Sequence, residues 1–460
     1  MKKIHLSEQL KNVTKISTGT VIGQVVAIVT LPIITRIYGA EIIGIWATIN
    51  AIANIVQNIC DLGISNALMI CEEDSIQVLH SIVVKISLLL NIISGIMIFV
   101  YYLMTGQDLH YAMMVCILTA IYAFTLREIN TCYMILNRNK QYNILMKNSI
   151  IRFSSAAAIS IVLGLFGWKT IGYYIGTIMG QILTLLHMRR FIPKFVKVSG
   201  FSKYKEYIIK YKNFVRYQMP ASITVTLRTE LPNLMIGALF GNTVLGYFSI
   251  TQKLLTIPVT FLGQSLGKIF YQSISAMRIE GKEIGYFVNH NIKRGMVFAF
   301  VPMVLLAAFG DVAVTIFFGM EYAAGGVICR IIVYRSLFNF ISSATQGIDI
   351  VLDKQQYVLY TCLSQTIFAV GSVFVGYYAF DSIYIASVLL VVSFIIVQLW
   401  YFCKMYKIMQ LRVREYLVNA VFMIILMLIV STVLRNGFIF IVRGLNVEFL
   451  NRLLKFFVNL

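Results

Sequence analysis

Apolar runs of about eighteen residues or more recur from one end of this chain to the other, and they limit the fold more than any other feature. Roughly twenty apolar residues wound as a helix cross the ~30 Å hydrocarbon core of a bilayer. A helix also satisfies its own backbone polar groups, which lipid cannot do. Hydrophobic residues fill 59% of the 460 positions, and a soluble domain needs more polar surface than the remainder supplies. The expectation is an all-α integral membrane protein. Spans are read near 13–36, 42–65, 78–103, 111–136, 144–167, 170–188, 215–239, 244–274, 295–318, 326–352, 357–380 and 383–403, which makes about twelve transmembrane helices. Residues 417–434 are a thirteenth candidate. Residues 437–460 carry Arg443, Glu448, Arg452 and Lys455 and are either a weak fourteenth span or an amphipathic helix on the surface.

The formal net charge is +20, from 39 Lys and Arg against 19 Asp and Glu. In a soluble protein that excess points to nucleic acid. In a membrane chain it follows the positive-inside rule, so no nucleic-acid partner is expected. With the N-terminus in the cytoplasm, nearly all loop cations fall on the cytoplasmic side, and Arg36 and Lys169 lie on the other. The strongest cluster, MRRFIPKFVKVSGFSKYKEYIIKYK at 188–212, is the longest loop and the natural midpoint. It predicts one lobe over 1–205, a second over 206–410, and one or two extra helices over 411–460. The acidic CEEDS loop after the second span runs against the rule. No cleavable signal peptide is evident in the polar start MKKIHLSEQLKNVTKIS. No segment is left for a nucleotide-binding or extracytoplasmic enzyme domain. The seven cysteines and five histidines show no metal or redox spacing, so no catalytic residue, metal or cofactor is expected.

A repeat crosses the midpoint. YGAEIIGIWATINA (38–51) aligns without gaps on FGNTVLGYFSITQK (240–253), pairing Gly39 with Gly241, Gly44 with Gly246, Trp46 with Phe248 and Asn50 with Gln252. Each copy sits between the first and second helix of a six-helix half. An even number of helices between the copies gives both halves one orientation, a parallel-repeat layout.

The charges singled out inside the spans are Asp61, Lys85, Arg127, Glu128, Arg152, Arg228, Glu230, Lys253, Lys268, Arg335 and Asp349. Each costs about 2.5–3.5 kcal/mol at a helix centre, so none should face lipid. They are phased. Asn50, Asn54, Gln57 and Asp61 share one helix face, as do Lys253, Thr256, Thr260, Gln264 and Lys268, and Arg335, Asn339, Ser342, Gln346 and Asp349. Ser17, Thr20, Gln24 and Thr35 give a weaker stripe. Such faces imply a water-accessible interior, or else hydrogen bonds that only join helices. In TLRTELPNLM (226–235), Arg228 and Glu230 lie about 200° apart and cannot serve one face. Arg228 is read as facing a cavity, and Glu230 as pairing with a neighbouring helix or a cation. Arg127 and Glu128 are about 100° apart and can reach different neighbours, with Arg127 favoured for the cavity. Pro32, Pro232 and Pro258 are hinge candidates or static kinks. Trp46, Tyr247, Phe248 and Tyr322 are candidates to stack on sugars, or are interfacial aromatics. A cationic interior selects anions, and arginine's fork of donors suits phosphate.

LPIITRIYGAEIIGIWA, LNRNKQY, LPNLMIGALFGNTVLGYFSITQKLLTIPVTFLGQSLGKIFYQSIS and FFGMEYAAGG resemble the polysaccharide (O-antigen and capsule) flippases of the MOP superfamily over about residues 10–410. The resemblance implies two six-helix lobes around a central cavity, working by alternating access. It implies export of undecaprenyl-pyrophosphate-linked oligosaccharide repeat units, for O-antigen (lipopolysaccharide) or capsule, to the outer leaflet of a bacterial inner membrane. Polymerase and chain-length proteins of the same pathway would be partners. Arg127, Arg152, Arg228, Lys253, Lys268, Arg335 and Lys85 would form the cationic lining. Asp61, Glu230 and Asp349 leave ion coupling open. A MATE-type exporter, a lipid II flippase and a membrane polysaccharide polymerase or ligase are the rival readings. The basic excess argues against the first, and the lack of a large outer loop argues against the last.

Overall fold

The computed structural model describes the backbone of residues 2–73, 75–196 and 201–445, and the side chains of 18–73, 75–196 and 205–441. Among the described residues the regular structure is helical, with no strand. The chain divides into two compact units, Met1–Leu234 and Met235–Leu460.

The first unit holds α1 (Lys2–Asp61), α2 (Ser75–Met104), α3 (Leu109–Arg138), α4 (Tyr142–Leu165), α5 (Gly172–Arg189), the short α6 (Phe201–Lys210), and α7 (Met219–Phe240) as far as Leu234. α1 packs on α2, α3 and α4, and α4 packs closely on α5. Without a hydrophobic force between helices in lipid, small residues that let backbones approach supply the contact. A Cβ placed on Gly180 of α5 would lie 2.8 Å from the Arg152 carbonyl oxygen of α4 and 2.7 Å from the Ala156 Cβ. The phenol of Tyr38 donates to the Ser160 carbonyl at 2.5 Å, tying α1 to α4.

The second unit holds α8 (Asn242–Pro258), α9 (Gln264–Ile279), α10 (Gly285–Phe318), α11 (Ala323–Ala344), α12 (Ile348–Val351), α13 (Gln356–Tyr378), α14 (Ile383–Ile408) and α15 (Val413–Leu445). α11 is central, contacting α8, α10 and α14, while α15 packs on α10.

Nine helical stretches among the described residues are long and apolar enough to cross a membrane. The first, Thr18–Asp61, is 44 residues long, about 66 Å of helix, and bends at Gly39. The exact count of twelve is therefore not fixed by these stretches, because α5, α7, α8 and α9 are shorter or more polar.

The repeat is visible in the backbone. Gly39 has φ 73° and ψ 173°, and its aligned partner Gly241 has φ 91° and ψ 165°. This region of conformational space is essentially open only to glycine. Gly319, after Phe318, repeats it with φ 105° and ψ 165°. An aromatic residue followed by glycine thus makes three corners, of which the sequence alignment paired two.

Several boundaries differ from the sequence reading. The eighth span is α8, then a π-helical turn at Val259–Gly263, then α9. Pro258 lacks the amide needed to continue the α-helical ladder, and the turn follows it directly. The tenth span ends at Ala344, because Gly347 turns left-handed (φ 85°) before α12. Gln346 and Asp349 are therefore not on α11, and the five-residue stripe from Arg335 is broken. The 188–212 loop contains α6. The thirteenth candidate is α15, which also takes in 437–445, while 446–460 and the arginine, glutamate and lysine there lie outside the described residues.

Candidate polar and charged sites

The polar face of α1 after Gly39 meets α7 and α3. Asn54 Nδ2 donates to Glu230 Oε1 at 2.9 Å, and Asn233 donates to Glu230 Oε2 at 3.3 Å. Asn58 donates to Thr226 Oγ1 at 2.8 Å, one turn along. Asn130 of α3 donates to Gln57 Oε1 at 3.0 Å. Asp61 accepts from Ser65, whose hydroxyl also lies 2.8 Å from that of Thr131. Glu230 therefore does reach a neighbouring helix. Asn50, Asn54, Gln57, Asp61, Arg228 and Glu230 are all half-buried, on a surface that is neither dry core nor free outer face. Asn58 belongs to this ladder, and its place four residues after Asn54 was its signal in the sequence. Ser17 of the weaker α1 stripe is outside the described side chains.

Behind the ladder Glu128 is fully buried and gathers three donors. Arg127 Nη2 lies 2.5 Å from Oε2, Arg189 Nη2 2.5 Å from Oε1, and His80 Nε2 2.9 Å from Oε1. Arg127 is 1% exposed. It thus pairs with its own neighbour and does not present its charge to an open surface, because a carboxylate buried without such partners would be too costly. His80 and Arg189 were missed, being 48 and 61 residues from Glu128 in sequence. The donor atoms of His80, Glu128 and Cys132 lie within 4.8 Å of one another. Two guanidiniums already held by that carboxylate make the cluster a poor seat for a divalent cation.

The second unit has a counterpart. Asp311 of α10 is fully buried, with Arg435 Nη1 of α15 at 2.6 Å and Arg330 Nη1 of α11 at 3.5 Å. None of the three was singled out in the sequence, although Asp311 and Arg330 fall inside the ninth and tenth spans read there. Gln365 of α13 donates to Gln398 of α14 at 3.1 Å, and Gln398 donates to Ser342 of α11. Arg335 lies 4.6 Å over the Phe394 ring.

The basic stripe of α8 and α9 lies at the surface. Lys253, Thr256, Gln264 and Lys268 are exposed, and Thr260 is half-buried. The threonine hydroxyls are satisfied within their own helix, Thr256 on Gln252 at 2.7 Å and Thr260 on Thr256 at 3.0 Å. Arg152 is half-buried on α4, near the Phe153 ring, and Lys85 is exposed on α2. Asp349 is half-buried on α12. Pro32 and Pro232 lie inside helices that run on past them. Trp46, Phe248 and Tyr322 are buried, Trp46 against Tyr122, Tyr173 and Tyr174, so packing rather than sugar stacking occupies their faces. Tyr247 is half-buried against Tyr322.

Known proteins bear on this arrangement. The profile of a family described as "Polysaccharide biosynthesis protein" matches residues 33–325. A curated relative, the capsular polysaccharide biosynthesis protein CapF of Staphylococcus aureus, is 29% identical over 143 residues. That match covers 29% of this chain and 35% of the relative, so the chain spans about a third of the relative's length. Among solved structures, the lipid II flippase MurJ in an inward closed conformation is 11% identical with a TM-score of 0.68, covering 95% of this chain and 99% of that one. An inward-facing multidrug resistance MATE family transporter of the MOP superfamily is 13% identical with a TM-score of 0.54, covering 86% and 96%. At these identities the likeness is one of fold, and the fold is that of membrane transporters.

Proposed function

This chain belongs to the polysaccharide biosynthesis protein family, and we propose that it is the flippase of its pathway, carrying undecaprenyl-pyrophosphate-linked oligosaccharide repeat units across the bacterial inner membrane. The observation that carries the reading is the exposed stripe of Lys253, Thr256, Gln264 and Lys268 along α8 and α9. On the sequence reading α8 and α9 make up the eighth span, and charged side chains at bilayer depth do not face lipid, so this face would be wet. A wet basic surface suits a pyrophosphate, while a polyprenyl tail can stay in the bilayer. Arg228, Arg335, Arg152 and Lys85 extend the cationic set. Asp61, Glu230 and Asp349 are the groups an ion gradient would act on. Transport by alternating access, lobes over 1–205 and 206–410, a cytoplasmic N-terminus, and polymerase and chain-length partners complete the proposal.

The test is complementation. After gene deletion, undecaprenyl-linked intermediates are extracted and assigned to a leaflet. Completed repeat units that accumulate on the inner leaflet, and reappear outside on re-expression, support the flippase. Single units that reach the outer leaflet but stay unpolymerised make the protein an enzyme of the pathway and end this reading.

A further inference from the structure

Between α5 and α7, residues 190–196 and 205–217 are anchored on the first unit, and their outer side carries both cations and large apolar side chains. Ile192 and Tyr211 are buried in one apolar cluster with Leu68, Leu136 and Met188. The Val196 amide donates to Ser81 Oγ at 3.1 Å, and Tyr207 reaches Ser75 Oγ at 3.5 Å. These contacts fix which side of the segment faces away. Tyr207 and Tyr211 are one helical turn apart and mark the inner face of α6 and its continuation, where the Tyr211 amide still bonds to the Tyr207 carbonyl at 3.0 Å. Lys205, Ile209 and Lys212 follow the i, i+4, i+7 spacing of the opposite face, and all three are exposed.

The stretch just after α5 behaves alike. Arg190 and Lys194 are exposed, and so are their neighbours Phe191 at 45% and Phe195 at 46%. Ile209 is 53% exposed. After α6, Arg216 lies 5.4 Å from the ring of Tyr217, itself 62% exposed. Basic groups thus alternate with large apolar ones on an anchored surface. A surface meant for water alone has no use for the apolar groups, and a site for free phosphate has none either. Apolar side chains that enter the acyl boundary beside cations that meet lipid phosphates use both. The segment joins α5 and α7, which the sequence reads as the sixth and seventh spans, and on that reading it lies at headgroup level.

We propose that residues 190–196 and 205–217 form a docking surface for the anionic phospholipids of the adjoining leaflet, with Phe191, Phe195 and Ile209 entering the acyl boundary and the flanking cations pairing with headgroup phosphates. This is independent of the transported cargo. It makes the lipid composition of the leaflet a determinant of how the segment, and the helices at its two ends, are held.

Two measurements on the full chain test it. In the first, Ile209→Cys, in a background with the seven native cysteines replaced, carries an environment-sensitive fluorophore. The chain is reconstituted in phosphatidylcholine vesicles with or without phosphatidylglycerol. The expected result is a dry probe only with phosphatidylglycerol, reversed by salt and by Lys205→Gln/Lys212→Gln/Arg216→Gln. A probe that stays wet in both vesicles, or is equally dry in both, overturns the proposal. The second needs no cysteine replacement. Native mass spectrometry of the purified wild-type chain should show phosphatidylglycerol retained over phosphatidylcholine, with retention falling about fivefold for each cation removed. Equal retention of the two lipids, or displacement of phosphatidylglycerol by inorganic phosphate alone, overturns it.

Discussion

Two buried carboxylates behave differently from the half-buried ones. Glu128 and Asp311 are each sealed from solvent and shared between two arginines. Removing the acid leaves guanidiniums buried without their counter-charge, a loss of about 3–5 kcal/mol. Glu128→Ala should therefore lower the melting temperature and the yield of folded protein together, as read by thermal unfolding in detergent. The cations of the proposed substrate path should respond in the opposite manner. Lys253→Gln, Arg228→Gln and Arg335→Gln should abolish surface polysaccharide while protein levels hold. Normal glycan display from all three removes the cationic path from the proposal. The sequence reading placed Glu128, Lys253, Arg228 and Arg335 in spans, but not what each would meet there. That depends on which residue of a distant helix arrives opposite, and His80 and Arg189 come to Glu128 from α2 and α5.

At the scale of elements, glycine corners and arginine pins do the shaping. Gly241 sits in a region essentially closed to side chains, so Gly241→Ala should cost about 1–3 kcal/mol of strain. Gly295 lies inside α10 with open space where a Cβ would go, so Gly295→Ala should be neutral or stabilise by up to about 1 kcal/mol. Comparing the two melting temperatures separates backbone strain from crowding. Arg435 is the pin of α15, donating to the Ala308 carbonyl at 3.3 Å as well as to Asp311. Arg435→Ala should loosen α15 and speed its proteolysis relative to α10, whereas Arg435→Lys should restore part of the protection. The corners were legible in the sequence because a φ above zero needs a specific residue type. The pin was not, because a lone arginine near a span end reads as a snorkelling interfacial charge.

For the whole molecule, cysteines introduced at 190–196 should be closed to membrane-impermeant reagents added outside intact cells, and labelling there would invert the proposed topology. Apolar runs dictated a helical membrane protein on their own, since lipid admits little else that spans it. The repeat at Gly39 and Gly241 was equally local and was equally readable. Motif resemblance reached the family that the profile match shows. The tertiary structure decided the rest. It broke the Arg335 stripe at Gly347, turned α8 through a π-helical turn after Pro258, and buried Trp46, Phe248 and Tyr322 in packing. Helical periodicity places a residue on a face of its own helix, and only the neighbouring helix determines whether that face meets a carboxylate, an aromatic ring or water.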